Sequence, residues 1–375
     1  MVPLSIVVLL RQAGATNRFA PDPGLQFIEE ALTQPLWHVL TVGDGYVQLF
    51  PRLVAYVLLL VPFEYLAIAS GLTCAVLWAL GGIAVGDVLA DATSSRVIGM
   101  SSVAWVVLNP GAAESMLANL FSIRWLFLTV ATVMLMSPRW MSEHQVLAPL
   151  LIAIVGLSHA YMAVVFVIAL ILCGQSLLKD RRIWITLITA SICALVQVLA
   201  FALSPASLQK YGSDTVYAPW PGMGVFWLSV LLFPPVFGGV AAAISWPRRA
   251  EPRMELAWRI AISGLLLWSL AYLQLGIKDS PSVATLGLTP IALGMAINGR
   301  VDWRPRLRIA LGVLAAIPLI VLAVKYFQAS WFITSGETWR SEIVRVRSLC
   351  QDSPDQRVIV RQFIATFEIP CRWIK

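Results

Sequence analysis

Two short stretches of this sequence each set a carboxylate and an arginine at the edge of apolar sequence, where they could move a proton or bind a phosphate. The first is "VGDGYVQLFPRLVAY", residues 42–56, where Asp44 stands between two glycines and precedes Tyr46, Gln48 and Arg52. A carboxylate accepts a proton from a hydroxyl or holds a metal against a phosphate. An arginine one to two turns further along a helix can pair with that phosphate. The second is "NPGAAESMLANLFSIRWLF", residues 109–127, with Glu114, Asn119, Arg124 and Trp125. His159 and Lys210 complete the set; Lys210 shares the loop "PASLQKYGSDTVYAPWPG" with Tyr211, Asp214 and Tyr217.

Each residue also has a purely structural reading. Asp-Gly is a common turn pair, and Asp44 can cap the helix that follows. Arg52 can snorkel to lipid headgroups. Glu114 can pair with Arg52 or Arg124, and Trp125 can be an ordinary interfacial residue. His159 can be a satisfied structural histidine, and 205–222 any solvated loop. Both sets of readings stay open on the residues alone.

The elements that must position these groups are set by composition. Of 375 residues, 59% are hydrophobic and 13% charged, whereas soluble domains carry about 25% charged residues. So little charge does not coat a soluble globule, and a polytopic α-helical membrane protein is expected. Apolar blocks lie at 63–86, 97–110, 121–136, 145–158, 160–177, 183–204, 223–245, 257–276, 281–298 and 308–327. The pair within 145–177 is broken only at Ser158-His159 and also reads as one kinked helix. No alternation suggests a β-barrel, and about 10 to 12 spanning helices are expected. The start, "MVPLSIVVLLRQ", has eight apolar residues before Arg11, fewer than the about 20 needed to cross a bilayer. It reads as the end of a truncated spanning helix or as a short membrane-dipping segment, and the first is favoured.

Basic residues fix an orientation. Alternate loops hold Arg96, Arg139, Lys179, Arg181, Arg182, Arg248, Arg249, Arg253, Arg300, Arg304, Arg306 and Arg308. The opposite loops hold little beyond Lys210, Lys278 and Arg124. This is the asymmetry of an inside and an outside face, so the net charge of +7 does not point to nucleic acid. The pattern works if 45–60, with Gln48, Pro51 and Arg52, lies on the surface rather than spanning. The expected units are 1–62, an incomplete first spanning segment and exterior loop with juxtamembrane helices; 63–327, the helix bundle; and 328–375, a small exterior tail. The tail reads as a helix ("GETWRSEIVRVRSLC") followed by strand-like sequence ("RVIVRQFIATFEIPCRWIK"). Cys350 and Cys371 there are either a disulfide suited to an oxidising exterior or free thiols. Cys74, Cys173 and Cys193 fall in apolar blocks as packing residues.

Charge inside the apolar blocks is scarce: Glu64 stands near the outer mouth, Asp87 and Asp91 near the inner end. No chain of buried acids crosses the bilayer, as proton-coupled transport would suggest. No phosphate-binding loop, zinc-protease helix, serine-hydrolase elbow or paired CxxC occurs, and no internal repeat is evident.

The layout resembles the GT-C superfamily of integral-membrane glycosyltransferases. The resemblance is carried by "GDGYVQLFPRL" with Asp44 and by "NPGAAESMLANLFSIRW" with Glu114, Asn119 and Trp125. It implies a first exterior loop bearing a catalytic acid, juxtamembrane helices and an exterior C-terminal part. It also implies transfer of a sugar from a polyprenyl-phosphate donor to a glycan, lipid or protein acceptor, at a bacterial plasma (inner) membrane with the tail periplasmic. Asp44 and Glu114 are then the expected catalytic acids. Tyr46, Arg52, Asn119, Arg124, Trp125, His159 and Lys210 are the expected substrate-binding residues. A divalent cation is compatible with the resemblance, but the first loop has no paired Asp-Asp or Glu-x-Asp motif, so metal use stays open. The alternative is a transporter or flippase of a lipid-linked sugar or small solute.

Overall fold

The computed structural model describes residues 2–12, 17–18, 24–43, 46–109, 120, 123–204, 224–246, 251–275, 281–327, 337–351, 356–362 and 365–374. The described chain is almost entirely helical. It opens with α1 (Val2–Arg11) and α2 (Gly24–Thr33), a 3-10 turn at Leu36–Leu40, the paired strands β1 (Val42–Gly43) and β2 (Tyr46–Val47), and α3 (Leu49–Leu58). The long series follows: α4 (Leu66–Thr93), α5 (Arg96–Leu108), α6 (Arg124–Leu135), α7 (Pro138–Glu143), α8 (Leu147–Gly156), α9 (Met162–Lys179) and α10 (Trp184–Leu203). It continues with α11 (Gly224–Ser245), α12 (Pro252–Leu275), α13 (Pro281–Gly299) and α14 (Pro305–Lys325). The tail is α15 (Trp339–Cys350) and the antiparallel hairpin β3 (Arg357–Gln362) and β4 (Ala365–Pro370). Every apolar block read from the sequence carries a helix. Residues 145–177 form two helices, broken at Leu157–Tyr161, rather than one kinked helix.

Among the described residues, three helical stretches are long and apolar enough to cross a membrane: Phe63–Thr93, Arg181–Leu203 and Pro305–Lys325. Two of them expose long apolar stripes, Ile185, Ile188, Ile192 and Leu195 on α10 and Val313, Leu314, Ile317 and Ile320 on α14. Small residues let the interior helices approach closely. A Cβ on Gly86 would lie 2.9 Å from the Gly99 carbonyl, and one on Gly99 would lie 2.7 Å from the Gly86 carbonyl. The α4–α5 crossing therefore depends on both glycines. Their turn is sharp: Ser94 takes a left-handed conformation, φ 50°, and the Ser95 hydroxyl accepts from the Ile98 N–H as an N-cap. Buried hydroxyls of Thr132, Ser137, Ser263 and Thr289 each donate to the carbonyl four residues earlier. Their hydrogen-bonding capacity is thus used within their own helices.

Apolar side chains form two cores. The larger runs through the bundle around Trp78, Leu89, Phe127, Met134, Trp140 and Ile260. The smaller lies at one end and draws on both ends of the chain: Phe27 and Ile28 of α2, Ala55 and Leu58 of α3, Leu66 of α4, Trp339, Ile343 and Val346 of α15, and Val358, Val360 and Ile369 of the hairpin. We call this unit the cap. Its attachment to the bundle is polar as well as apolar. The Trp339 indole N–H donates to the Phe63 carbonyl at 2.8 Å, and Arg347 pairs with Glu64 at 3.4 Å. Cys350 and Cys371 are joined in a disulfide that staples the end of α15 to the end of β4; Cys74, Cys173 and Cys193 are buried free thiols.

At the same end, Arg11 closes α1. Its buried guanidinium donates to the carbonyls of Val107, Asn109 and Phe327. One cation thereby ties the carboxyl ends of α1, α5 and α14, where unpaired carbonyls concentrate negative charge. At the other end, the Trp140 indole donates to Asp87 at 3.4 Å and Arg300 donates to the Ile244 carbonyl at 2.8 Å.

Candidate functional site

The break between α8 and α9 is the floor of the site, and the strand pair β1–β2 is laid on it. Gln197, an amide inside the apolar helix α10, makes the attachment. Its carbonyl accepts from the Val47 N–H at 3.0 Å, while its NH2 donates to the Val47 carbonyl at 3.1 Å and the Gly156 carbonyl at 2.9 Å. A buried amide is costly unless satisfied, and here the satisfaction comes from the docked strand. The start of α3 is held the same way. Leu49 N–H donates to the Leu157 carbonyl at 3.0 Å, and Phe50 N–H donates to the Ser158 hydroxyl at 3.1 Å.

Register then places Tyr46. Gly43 pairs with Tyr46 and Val42 with Val47. The two residues between the strands are Asp44 and Gly45, which lie outside the described residues, so the expected catalytic role of Asp44 has no geometry here. Tyr46 is buried, and its ring lies near-parallel to that of His159 at 6.3 Å. Trp125 and Tyr161 meet the His159 ring edge-on, at 4.5 and 5.5 Å. Arg124, the first residue of α6, sets its guanidinium 5.5 Å from the Tyr46 ring and 5.3 Å from the Trp125 ring. Such cation–π contacts favour a guanidinium over an aromatic face.

The His159 tautomer follows from its partners. Nδ1 accepts the Tyr161 N–H at 3.0 Å. Burial, with the Arg124 charge adding to it, holds the imidazole well below its ordinary pKa. The ring is therefore neutral and its proton sits on Nε2. That Nε2 and the Tyr46 hydroxyl are both buried and have no hydrogen-bond partner among the described residues. Each is a donor held ready in a dry place beside a cation.

Four of the expected substrate-binding residues thus converge: Tyr46, Arg124, Trp125 and His159. Arg52 is close in sequence but differently employed. It is 2% exposed, forks onto Glu30 at 2.8 and 3.4 Å, and donates to the Thr41 carbonyl. Its guanidinium is filled by protein, whereas the sequence reading gave it to a phosphate. Glu114, Asn119 and Lys210 lie outside the described residues. The described residues that flank Glu114 and Asn119 are held in the fold. Asn109 before them is held by Arg11, and Ile123 and Trp125 after them are buried in the bundle.

Sequence reasoning gave no role to Tyr161, Gln197, Ser158, Arg11 or Glu30. Gln197 carried a signal, as the one carboxamide of an otherwise apolar helix; Arg11, the charge that ends an apolar run, carried another. Glu30 pairs across 22 residues of chain, and no local pattern announces it. Among the described residues, no three His, Cys, Asp or Glu side chains gather as a metal site would require. Asp44 and Glu114, the two acids expected to serve, lie outside the described residues. Comparison with protein-family models gives no match, and none of the curated proteins matches the chain.

Proposed function

We propose that this chain is a polytopic membrane glycosyltransferase that moves a sugar from a polyprenyl-phosphate donor to an envelope glycan, lipid or protein acceptor. One observation carries the reading: two buried donors with no hydrogen-bond partner among the described residues, His159 Nε2–H and Tyr46 Oη–H, belong to rings 6.3 Å apart beside the Arg124 cation. Donors held ready in a water-poor site favour an anion that gains charge as a bond breaks. The stretch that brings Tyr46 there also carries Asp44.

The reaction is a single displacement. The Asp44 carboxylate takes the proton of an acceptor hydroxyl. The acceptor oxygen bonds to the anomeric carbon as the bond from that carbon to the phosphate oxygen breaks. The electron pair leaves with the polyprenyl phosphate, whose new negative charge is met by Arg124, His159 Nε2–H and Tyr46 Oη–H. The protonated Asp44 returns its proton to water. Trp125 and Tyr161 wall the imidazole and fix its direction.

Membrane insertion is supported by the long apolar helices and by the apolar stripes they expose. Following the chain through its alternate turns, the cap and the site share one end of the bundle. Arg96, Arg139, Arg181, Arg182, Arg253, Arg304 and Arg306 gather at the other. By the positive-inside rule the site end is exterior, at a plasma membrane, and a disulfide in the cap suits an oxidising compartment.

The test is a transfer assay with the purified chain in lipid nanodiscs, offered a panel of polyprenyl-phosphate hexoses and pentoses with labelled sugars. Wild type is expected to consume at least one donor and release polyprenyl phosphate. Asp44→Asn protein with an unchanged melting temperature is expected to lose that activity. Full activity in the variant, or no donor consumed, contradicts the proposal.

A further inference from the structure

We infer that Arg52 and Glu30 act as a positioning pair for the strand that leads into Asp44, and that Arg52 does not touch the donor phosphate. Three contacts carry this. The guanidinium is almost wholly buried and makes a two-point ion pair with Glu30. Its remaining amino group donates to the carbonyl of Thr41, the residue immediately before β1. One amino nitrogen of the same guanidinium lies against Gly43, where an added Cβ would collide with it. The absence of a side chain at Gly43 thus makes room for Arg52. A planar five-donor fork suits this task, and a point-charge ammonium would not reach both Glu30 and Thr41.

The pair also joins two elements. Glu30 lies on α2 in the cap core, Arg52 on the first turns of α3, and α3 is bonded to the α8–α9 break. His38 Nε2 stands 3.8 Å from the same Glu30 carboxylate, and its Nδ1 is 3.2 Å from the Thr41 hydroxyl. Glu30 is therefore the hub on which α2, the 3-10 turn and α3 set the path of the chain through Thr41, Val42 and Gly43. Asp44 follows Gly43 directly in the sequence. A general base displaced by an ångström loses rate rather than affinity.

The consequences for the reaction rest on the proposed glycosyl transfer, but the positioning itself does not, and the experiment separates them. A nitroxide on Val42→Cys reads the strand directly, because Cys74, Cys173 and Cys193 are buried and the other two cysteines are bonded. Glu30→Gln, Arg52→Lys and Gly43→Ala are each introduced beside it, and the Glu30→Gln/Arg52→Lys double variant is compared with its parents. The expected result is a mobile label in every single variant and no further mobility in the double. In the transfer assay, kcat is expected to fall roughly a hundredfold, with the donor KM unchanged and with Glu30→Gln matching Arg52→Lys. An unchanged label spectrum overturns the proposal. So does a donor KM that rises with Arg52→Lys alone, since Arg52 would then contact the donor. If wild type transfers no sugar, the functional reading fails and the spectra still decide the positioning.

Discussion

At the residue scale the account turns on a histidine that is useful because it is uncharged. The Tyr161 N–H occupies Nδ1, and burial beside Arg124 keeps the ring from gaining a second proton. His159→Gln keeps an N–H donor but loses the wedge between Trp125, Tyr161 and Tyr46. Its kcat is expected to fall roughly a hundredfold, as when one donor to a developing oxyanion is lost. Steady-state transfer kinetics check this. A pH effect follows with a definite sign. The unfolded chain protonates His159 near the ordinary imidazole value, while the folded chain resists. Its contribution to stability is therefore full above that value and is lost as the pH falls below it. Melting curves at pH 7.5 and 5.5 are expected to show a smaller acid loss in His159→Gln than in wild type; equal losses would remove the buried neutral ring from the account.

At the element scale, what holds the site is the fastening of small pieces to large ones. β2 is two residues long and would not stand alone, and Gln197 with the Ser158 turn gives it a fixed seat. The cap is a small core shared by segments distant in sequence, so its disulfide matters. Cys350→Ser/Cys371→Ser protein is expected to lose about 3 kcal/mol of cap stability and to be cut by trypsin within 337–374 while the bundle stays whole. Equal protease resistance would contradict that. Acid acts on the same unit. Burial alone would raise the Glu342 pKa, but bonds from Arg345 and from the Arg361 backbone N–H outweigh it, and the carboxyl sits below the ordinary range. The stability it gives is present above the ordinary glutamate value and is lost as the pH falls through the lowered one. Much of this level was legible in the sequence. The apolar blocks mark the helices, and the tail's switch from helix-like to strand-like pattern matches α15 and β3–β4. Convergence was legible only in part. Tyr46, Arg124, Trp125 and His159 stand out as chemical types at the ends of apolar blocks, and a shared end brings them together. For Arg52 the alternatives stayed open in the sequence, because a buried arginine and a phosphate-binding arginine look alike until Glu30, 22 residues away, is folded against it.

At the scale of the whole molecule, one end of the bundle gathers the cap, the disulfide and the His159–Tyr46 site, and the other gathers Arg96, Arg139, Arg181, Arg182, Arg253, Arg304 and Arg306. If the site end is exterior, a membrane-impermeant thiol reagent added to intact cells is expected to label Val42→Cys and to spare Arg182→Cys, with both labelled after lysis. The reverse pattern would invert the molecule and deny the site its lipid-linked donor on the outer leaflet. The central claim, sugar transfer at that exterior end, is tested most directly by the envelope-glycan profile of a strain lacking this chain. That strain is complemented with wild type or Asp44→Asn at equal membrane abundance. The account predicts that a sugar missing from the deletion strain returns with wild type and not with Asp44→Asn. Equal restoration by both proteins would contradict it, and would reduce Asp44 to a turn residue between two short strands.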